Sequence, residues 1–405
     1  MLHLRTTPVV LLSAALVALA GQATAQTFDV LPSLPGFPGV SANSVSRNGQ
    51  YMAGTCEGPG GTSRAVRWTA ALTPQQMTSY GDTDRAWGVS DNGVVAGESD
   101  EQIVVWGGDG NGGDAQLGPG VAYGVASDGS GAVGYTVLAN GHRKAFRYHL
   151  PNIFNLMIDV ADDTDSTAYN ITPDGANAVG VSWHETSLGY LESKAIRYYI
   201  GHAVVQTPPA GYTVSEATDL SDSGEVVVGL TSCCHSVAPI PARWTAEAFA
   251  TVTGEPNGVA TGCSFDGSVI VGEGPGGAYV WDAVQGERYL SDLLIAAGYP
   301  MDDYFLARAT DVSADGAVVV GFGYQGNVQF GWRVMLNAIR CDVVDFNGDT
   351  IFPDAQDIYD FLTVFSGGAC PTGSCGDIDF NNDGILPDTA DIQSFLRVFA
   401  GGACA

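Results

Sequence analysis

Basic residues are scarce in this chain: 16 Lys and Arg face 44 Asp and Glu, a formal charge of −28. Proteins that grip nucleic acid neutralise phosphates with Lys and Arg, so that class of partner is excluded. Long apolar runs are also lacking. The longest, Val9 to Ala20, has twelve residues, too few to span a bilayer, and no other run approaches that need. Charged residues make up only 15% of the chain while glycine numbers 54, a composition of strands and turns rather than helices. Signatures of catalysis are equally thin. No His-Glu-x-x-His occurs. Cys233-Cys234-His235 sets thiols beside an imidazole, but a disulfide-bonded or surface loop with an incidental histidine accounts for it. Asp162-Asp163-Thr-Asp165 and Asp302-Asp303 offer the paired carboxylates of a glycosidase, as any acidic chain would.

What is present begins with an export signal. Arg5 precedes the apolar stretch, and Ala23-Thr24-Ala25 forms a small-residue cleavage site. Residues 1–25 are therefore read as a signal peptide, with Gln26 the first mature residue. No cysteine follows the cleavage site, which argues against lipidation there. The expected protein is secreted, extracellular or at a bacterial cell surface, with no membrane span in the mature chain. Eight cysteines in an exported chain point to disulfides. Cys56, Cys233, Cys234 and Cys263 have no assignable partners.

The dominant feature is a repeat. Ser313-Ala-Asp-Gly-Ala-Val-Val-Val-Gly321 has six close relatives, whose turn glycines are Gly49, Gly93, Gly129, Gly175, Gly224 and Gly267, with Gly316 the seventh. Spacings run from 36 to 49 residues, the blade period of propeller repeats. An Asn, Asp or Ser followed by glycine suits a tight hairpin turn. An apolar run such as Val318-Val-Val320 follows as a buried strand, and the closing glycine implies close backbone approach. A second strand then ends in an aromatic, as in Ala65-Val-Arg-Trp68 and Lys144-Ala-Phe-Arg-Tyr148. A weaker fourth strand is exemplified by Glu287–Ser291. The last repeat lacks its fourth strand, and Phe28–Ser33 offers one, closing a ring and removing two open edges. The expected fold is mainly β: a seven-bladed β-propeller over residues 26–338.

These copies resemble the HAF family of extracellular repeats, which carry a Ser-x-Asp-Gly-x-Val-Val-Gly hairpin followed by an Ala-Phe-Arg-Trp strand. The resemblance spans residues 40–335, although the second and sixth copies lack the arginine. It implies a repeat type and no catalytic set.

From Cys341 the composition changes: eleven Asp and no Glu meet a single Arg. A second repeat appears here, with a period of 34 residues. Oxygen donors at alternate loop positions, a backbone carbonyl and a closing carboxylate wrap a hard cation. In the first copy these are Asp345, Asn347, Asp349, the Ile351 carbonyl and Asp357. In the second they are Asp379, Asn381, Asp383, the Ile385 carbonyl and Asp391. Asp354 and Asp388 suit helix capping or support of the ligands. Each loop leads into an amphipathic stripe, Ile358, Phe361, Leu362 and Phe365 or Ile392, Phe395, Leu396 and Phe399, ended by Gly-Gly. A disulfide within each unit, Cys341–Cys370 and Cys375–Cys404, would suit so small a module; the swapped connectivity stays open.

This duplicated pattern resembles a dockerin of the variant ending in Gly-Gly-x-Cys, giving a small C-terminal α-helical domain over residues 339–405. The resemblance implies two calcium sites at the residues just named, and a cohesin-like scaffold or cell-surface receptor as partner. The closing Asp falls one position later than in the standard loop. Thr350 also stands where the first loop's turn wants glycine, which predicts weaker calcium binding at the first site.

Two functions are expected. The favoured one is a non-catalytic binding or display protein, whose propeller face takes a glycan or protein ligand and whose tail tethers it. The alternative is a dockerin-bearing carbohydrate-active enzyme, a glycoside hydrolase or polysaccharide lyase acting on an extracellular polysaccharide.

Overall fold

The computed structural model describes residues 25–108, 113–149, 153–157, 163–185, 191–200, 202–208, 211–233, 238–245, 251–252, 254–283, 285–336, 344–347, 354–372, 375, 378, 380 and 389–399. Residues 1–24, most of the expected signal peptide, lie outside them. The described chain falls into two compact units, one within Ala23–Ala338 and one within Ile339–Phe399.

Each repeat of the larger unit folds outward from its turn. In the last copy, the Ser313 hydroxyl donates to Asp315 Oδ1 at 2.6 Å and accepts from the Val318 N–H at 2.9 Å. Asp315 Oδ1 also accepts from the Ala317 N–H at 3.0 Å. Ser46 with Asn48 and Thr172 with Asp174 make the same arrangement. The polar residues of the motif are thus consumed in building the turn. Gly316 sits at φ 70°, a left-handed conformation that a side chain resists.

The closing glycine has a different cause. The innermost strand of each repeat bulges, for example between Ala309 and Asp311, and the next strand runs over the bulge. A Cβ at Gly321 would lie 2.0 Å from the Arg308 carbonyl oxygen, and at Gly54, Gly134 and Gly180 it would lie 1.9 Å from the corresponding carbonyl. The close approach expected from sequence is therefore present, and its source is the bulge.

The strands form antiparallel sheets: among the described residues, five have four strands and one has seven. In the seven-stranded sheet, the strand Gly113–Val125 is outermost for the second repeat and innermost for the third. The last sheet takes its outer strand from the start of the chain. Ala25–Val30 pairs with Val328–Leu336, placing Phe28 opposite Val334. Strand pairing ends at Val30 rather than Ser33, because the chain then turns inward and buries Leu31 and Leu34 beside Val40, Trp68 and Val320. That cluster joins the last sheet to the first, and the ring closes.

The hydrophobic core is divided among the seams between consecutive repeats. One cluster joins Ala53 and Ala65 to Val89, Val95 and Trp106, and another joins Val179 and Ala195 to Leu220 and Trp244. The repeated arginine bolts these seams. Stacking is found, as Arg67 lies over Tyr51 at 5.2 Å. The buried guanidinium of Arg67 also donates to the Gly93 and Gly108 carbonyls of the next repeat. Arg147 likewise reaches the Ala176 carbonyl at 3.3 Å, and Arg243 the Gly267 carbonyl at 3.4 Å. The fourth strand of the sixth repeat ends at Tyr289 rather than Ser291. Leu290–Ala296 forms a helix, α1, because Leu290, Leu293 and Leu294 share a face that packs into the seam core.

Among its described residues, the smaller unit holds two helices, α2 (Ala355–Phe365) and α3 (Thr389–Phe399). Phe346, Phe361, Phe380 and Phe395 form its centre, two pairs related by the 34-residue period. Phe361 and Phe395 stack face to face with centroids 4.1 Å apart. This close central contact rotates the helices, so Leu362 and Leu396 are 44% and 46% exposed instead of lying in the buried stripe. The disulfide also differs from the within-unit pairing: Cys370 is bonded to Cys375. Gly367, at φ 86°, ends α2 and turns the chain back, bringing these two Cα atoms to 5.8 Å. Cys341 and Cys404 lie outside the described residues.

Candidate functional site: the central channel

In every repeat the innermost strand carries an alanine four residues before the Ser, Thr or Ala that begins its turn. The alanine packs into a seam, and the next side chain is free to face the ring's axis. These residues are Asn43, Trp87, Tyr123, Tyr169, Thr218, Thr261 and Thr310, and all line one cavity of about 540 Å3. Antiparallel sheets repeat around a closed ring, and each repeat's inner strand gives a residue to one axial channel. The fold is a β-propeller.

The propeller's channel has two unlike walls. On one, Thr218 donates to the Ala260 carbonyl, Thr261 to Ala309, Thr310 to Ala42 and Asn43 to Ala86, each at 2.7–2.9 Å and each to the next repeat. On the other, Trp87, Tyr123 and Tyr169 pack ring against ring, with centroids 5.7 and 5.4 Å apart.

The polar wall also buries charge. Asp219 accepts from the Cys263 N–H at 2.7 Å and from Asn170 Nδ2. Asp311 accepts from Ser44 Oγ and the Val45 N–H, both at 2.9 Å, and from the Val312 N–H at 2.8 Å. Arg47 crosses from the first repeat to pair with Asp222 of the fifth and donates to the Cys263 carbonyl at 3.1 Å. Burial, then the Asp219 charge, pushes the Asp311 carboxyl up to about 7. Burial raises Asp219 and Asp222 as well, opposed by Arg47. Burial disfavours the Arg47 charge, but Asp222 and Asp219 outweigh it and hold the guanidinium above its usual value.

At the turn end, backbone bonds link neighbouring repeats: Asp222 N–H to Phe265, Phe265 to Ala314, and Ala314 to Arg47, at 2.8–3.0 Å. Pro173 holds the corresponding place in the fourth repeat and has no N–H to give.

The acidic pairs noted in the sequence lie elsewhere. Asp163 pairs with Lys194 at 3.5 Å, and Asp165 with His142 at 3.2 Å. Asp302 and Asp303 are exposed in the loop after α1. None of these four lines the channel. Asp162, Cys234 and His235 lie outside the described residues. The channel residues were missed because attention fell on what the copies share. The signal lay in the position after the alanine, where seven otherwise similar strands diverge into aromatic and polar groups.

In the smaller unit, Asp345, Asn347, Asp357 and Asp391 are described; Asp349, Ile351, Asp379, Asn381, Asp383 and Ile385 are not. Asp357 and Asp391 are wholly buried. Asp357 reaches back to the loop, accepting from the Asp354 N–H at 3.1 Å and the Asn347 N–H at 3.5 Å. Asp354 caps α2, accepting from the Gln356 and Asp357 N–H groups. An all-oxygen donor set with a buried closing carboxylate fits a hard cation such as calcium. Among the described residues, no cluster of three or more His, Cys, Asp or Glu suited to a metal is assembled.

No family model matches the sequence, and no curated protein resembles it. Among solved structures, an oligogalacturonate lyase in complex with manganese is similar at 12% identity and a TM-score of 0.49, over 78% of this chain and 98% of that one. An oligogalacturonate lyase from Vibrio parahaemolyticus gives 10% and 0.49, over 76% and 96%. A putative TolB from Agrobacterium tumefaciens gives 14% and 0.39, over 53% and 80%. At these values no activity transfers to this chain, and the fold rests on its own sheets and channel.

Proposed function

We propose that this protein is an exported, seven-bladed β-propeller that binds a ligand in its central channel without turning it over. A calcium-loaded, dockerin-like tail fixes it to a cohesin-like scaffold or cell-surface receptor. The observation that carries the binding reading is the channel itself: a cavity of about 540 Å3 with an aromatic wall facing a charged one. Its size and lining suit a small ligand or the end of a larger one. Asp219 and Asp311 on the charged wall take hydrogen bonds from the frame. The HAF-type hairpins are structural, since their Ser and Asp close turns.

In the tail, Asp345, Asn347, Asp349, the Ile351 carbonyl and Asp357 would hold one calcium ion. Asp379, Asn381, Asp383, the Ile385 carbonyl and Asp391 would hold the second. Calcium there would neutralise loop carboxylates and tie each loop to its helix. Leu362 and Leu396, equivalent and outward-facing, give the partner an apolar contact.

The test uses the full chain, with calcium and again with chelator, as bait for envelope and secreted fractions of the source organism. A partner retained only with calcium supports tethering. Retention indifferent to the chelator, or none, contradicts it. The enzyme alternative is tested by a polysaccharide panel: turnover abolished by Asp163→Asn or Asp303→Asn would replace the binding reading.

A further inference from the structure

We propose that the aromatic wall of the channel recognises an organic cation, a quaternary or protonated ammonium group on a small molecule. This rests on the channel being the binding site and deepens that reading.

Three features of the cavity combine. First, Trp87, Tyr123 and Tyr169 contact one another in series and all border the cavity, so aromatic faces and edges are offered from three consecutive repeats. Ring faces carry negative electrostatic potential and attract a cation within about 6 Å, most strongly where water is excluded. Second, acidic groups outnumber basic ones around the cavity. Arg47 and Arg308 stand against Glu216, Asp219, Asp222 and Asp311 around the cavity. Arg47 is engaged by Asp222 and also acts on Asp219 and Asp311, and Arg308 lies 3.5 Å from Glu273, so neither cation is left over for the cavity. Third, the same aromatic group already holds a cation at its margin. The Arg143 guanidinium lies over Tyr135 at 4.6 Å, and Tyr135 packs on Tyr123 at 6.1 Å.

The hydrogen bonding narrows the ligand class. Asp311 accepts three bonds from Ser44, Val45 and Val312. Asp219 accepts from Cys263 and Asn170. A carboxylate has about four acceptor positions, so Asp311 has little left to read the hydroxyls of a sugar or to coordinate a metal ion, and Asp219 is buried. Above about pH 7, where Asp311 releases its proton, these groups act through their charge. An alkylated ammonium needs that field and an aromatic surface, and requires no hydrogen bond.

The test is calorimetric titration of the full chain, in calcium buffer, with tetramethylammonium and choline. The controls are the neutral alcohol in which carbon replaces the choline nitrogen, and a panel of neutral oligosaccharides. Saturable binding of both cations is expected, weaker by about tenfold or more for the neutral isostere, and weakened similarly by Tyr123→Leu but not by Tyr123→Phe. If Tyr123→Leu does not fold, Tyr169→Leu takes its place. Equal binding of the isostere, or full affinity in the leucine variants, overturns the proposal. Binding of oligosaccharides alone overturns it while leaving the channel as a binding site. Binding of neither class overturns it and removes the calorimetric support for the channel reading as well.

Discussion

The two walls of the channel are built on the same backbone and do different work. In the fifth, sixth and seventh repeats the residue after the alanine is Thr218, Thr261 or Thr310, and its hydroxyl is spent on the next repeat's carbonyl. In the second, third and fourth it is Trp87, Tyr123 or Tyr169, which present surface to the cavity. Asn43, in the first, sides with the threonines. A closed ring of similar units needs only some of its inner positions to hold it together. The rest are spared that task, and here three consecutive positions present aromatic surface to the cavity.

The comparison can be broken at the closing glycines. Gly229→Ala on the polar side and Gly134→Ala on the aromatic side should each cost about 3 kcal/mol or more, since a Cβ would meet a backbone carbonyl at 2.0 and 1.9 Å. Thermal melts followed by circular dichroism should show equal losses; a tolerant side would mean that the walls differ in backbone as well as side chains. Next in size is Arg67→Ala, expected to cost about 2–3 kcal/mol by leaving the buried Gly93 and half-buried Gly108 carbonyls without their charged donor. Urea titration measures it. Thr261→Val keeps the shape and removes one inter-repeat bond, so about 1 kcal/mol is expected by the same titration.

A further effect is in pH. Asp311 has a folded-state value raised to about 7, above the ordinary carboxylate range, so the folded protein keeps a proton that the unfolded chain has released. Its contribution to stability is fullest below about pH 4 and is lost as pH rises toward 7. Melting temperature measured across that window should carry this downward component in the wild type, and Asp311→Asn should remove it. An unchanged slope in the variant would assign the proton to another group.

Much of the ring was legible in the sequence because its physics is local and repeated. A Ser, an Asp and a glycine at φ 70° leave the hairpin few alternatives, and seven copies make the signal hard to miss. The closing strand was legible because a sheet lacked its edge. The reach of Arg67 was not, because its acceptors lie 26 and 41 residues away and are backbone carbonyls with no signature. The outward Leu362 and Leu396 were missed because helical periodicity fixes the stripe's width but not its centre, which the stacked Phe361 and Phe395 decide. The Cys370–Cys375 bond depends on how the chain turns after Gly367, which cysteine spacing alone does not encode. Half of the channel's meaning was in plain view in Trp87, Tyr123 and Tyr169, but only alignment on the bulge shows that they share a wall.

The most direct test is a paired measurement on Tyr123→Leu and Arg67→Ala: melting temperature, and affinity for choline, each against the wild type. The expected result is a separation, with Arg67→Ala melting several degrees lower at unchanged affinity and Tyr123→Leu losing about tenfold in affinity with a smaller loss of stability. Affinity and stability falling together in both variants would contradict the division between a frame that holds the ring and a wall that takes the ligand.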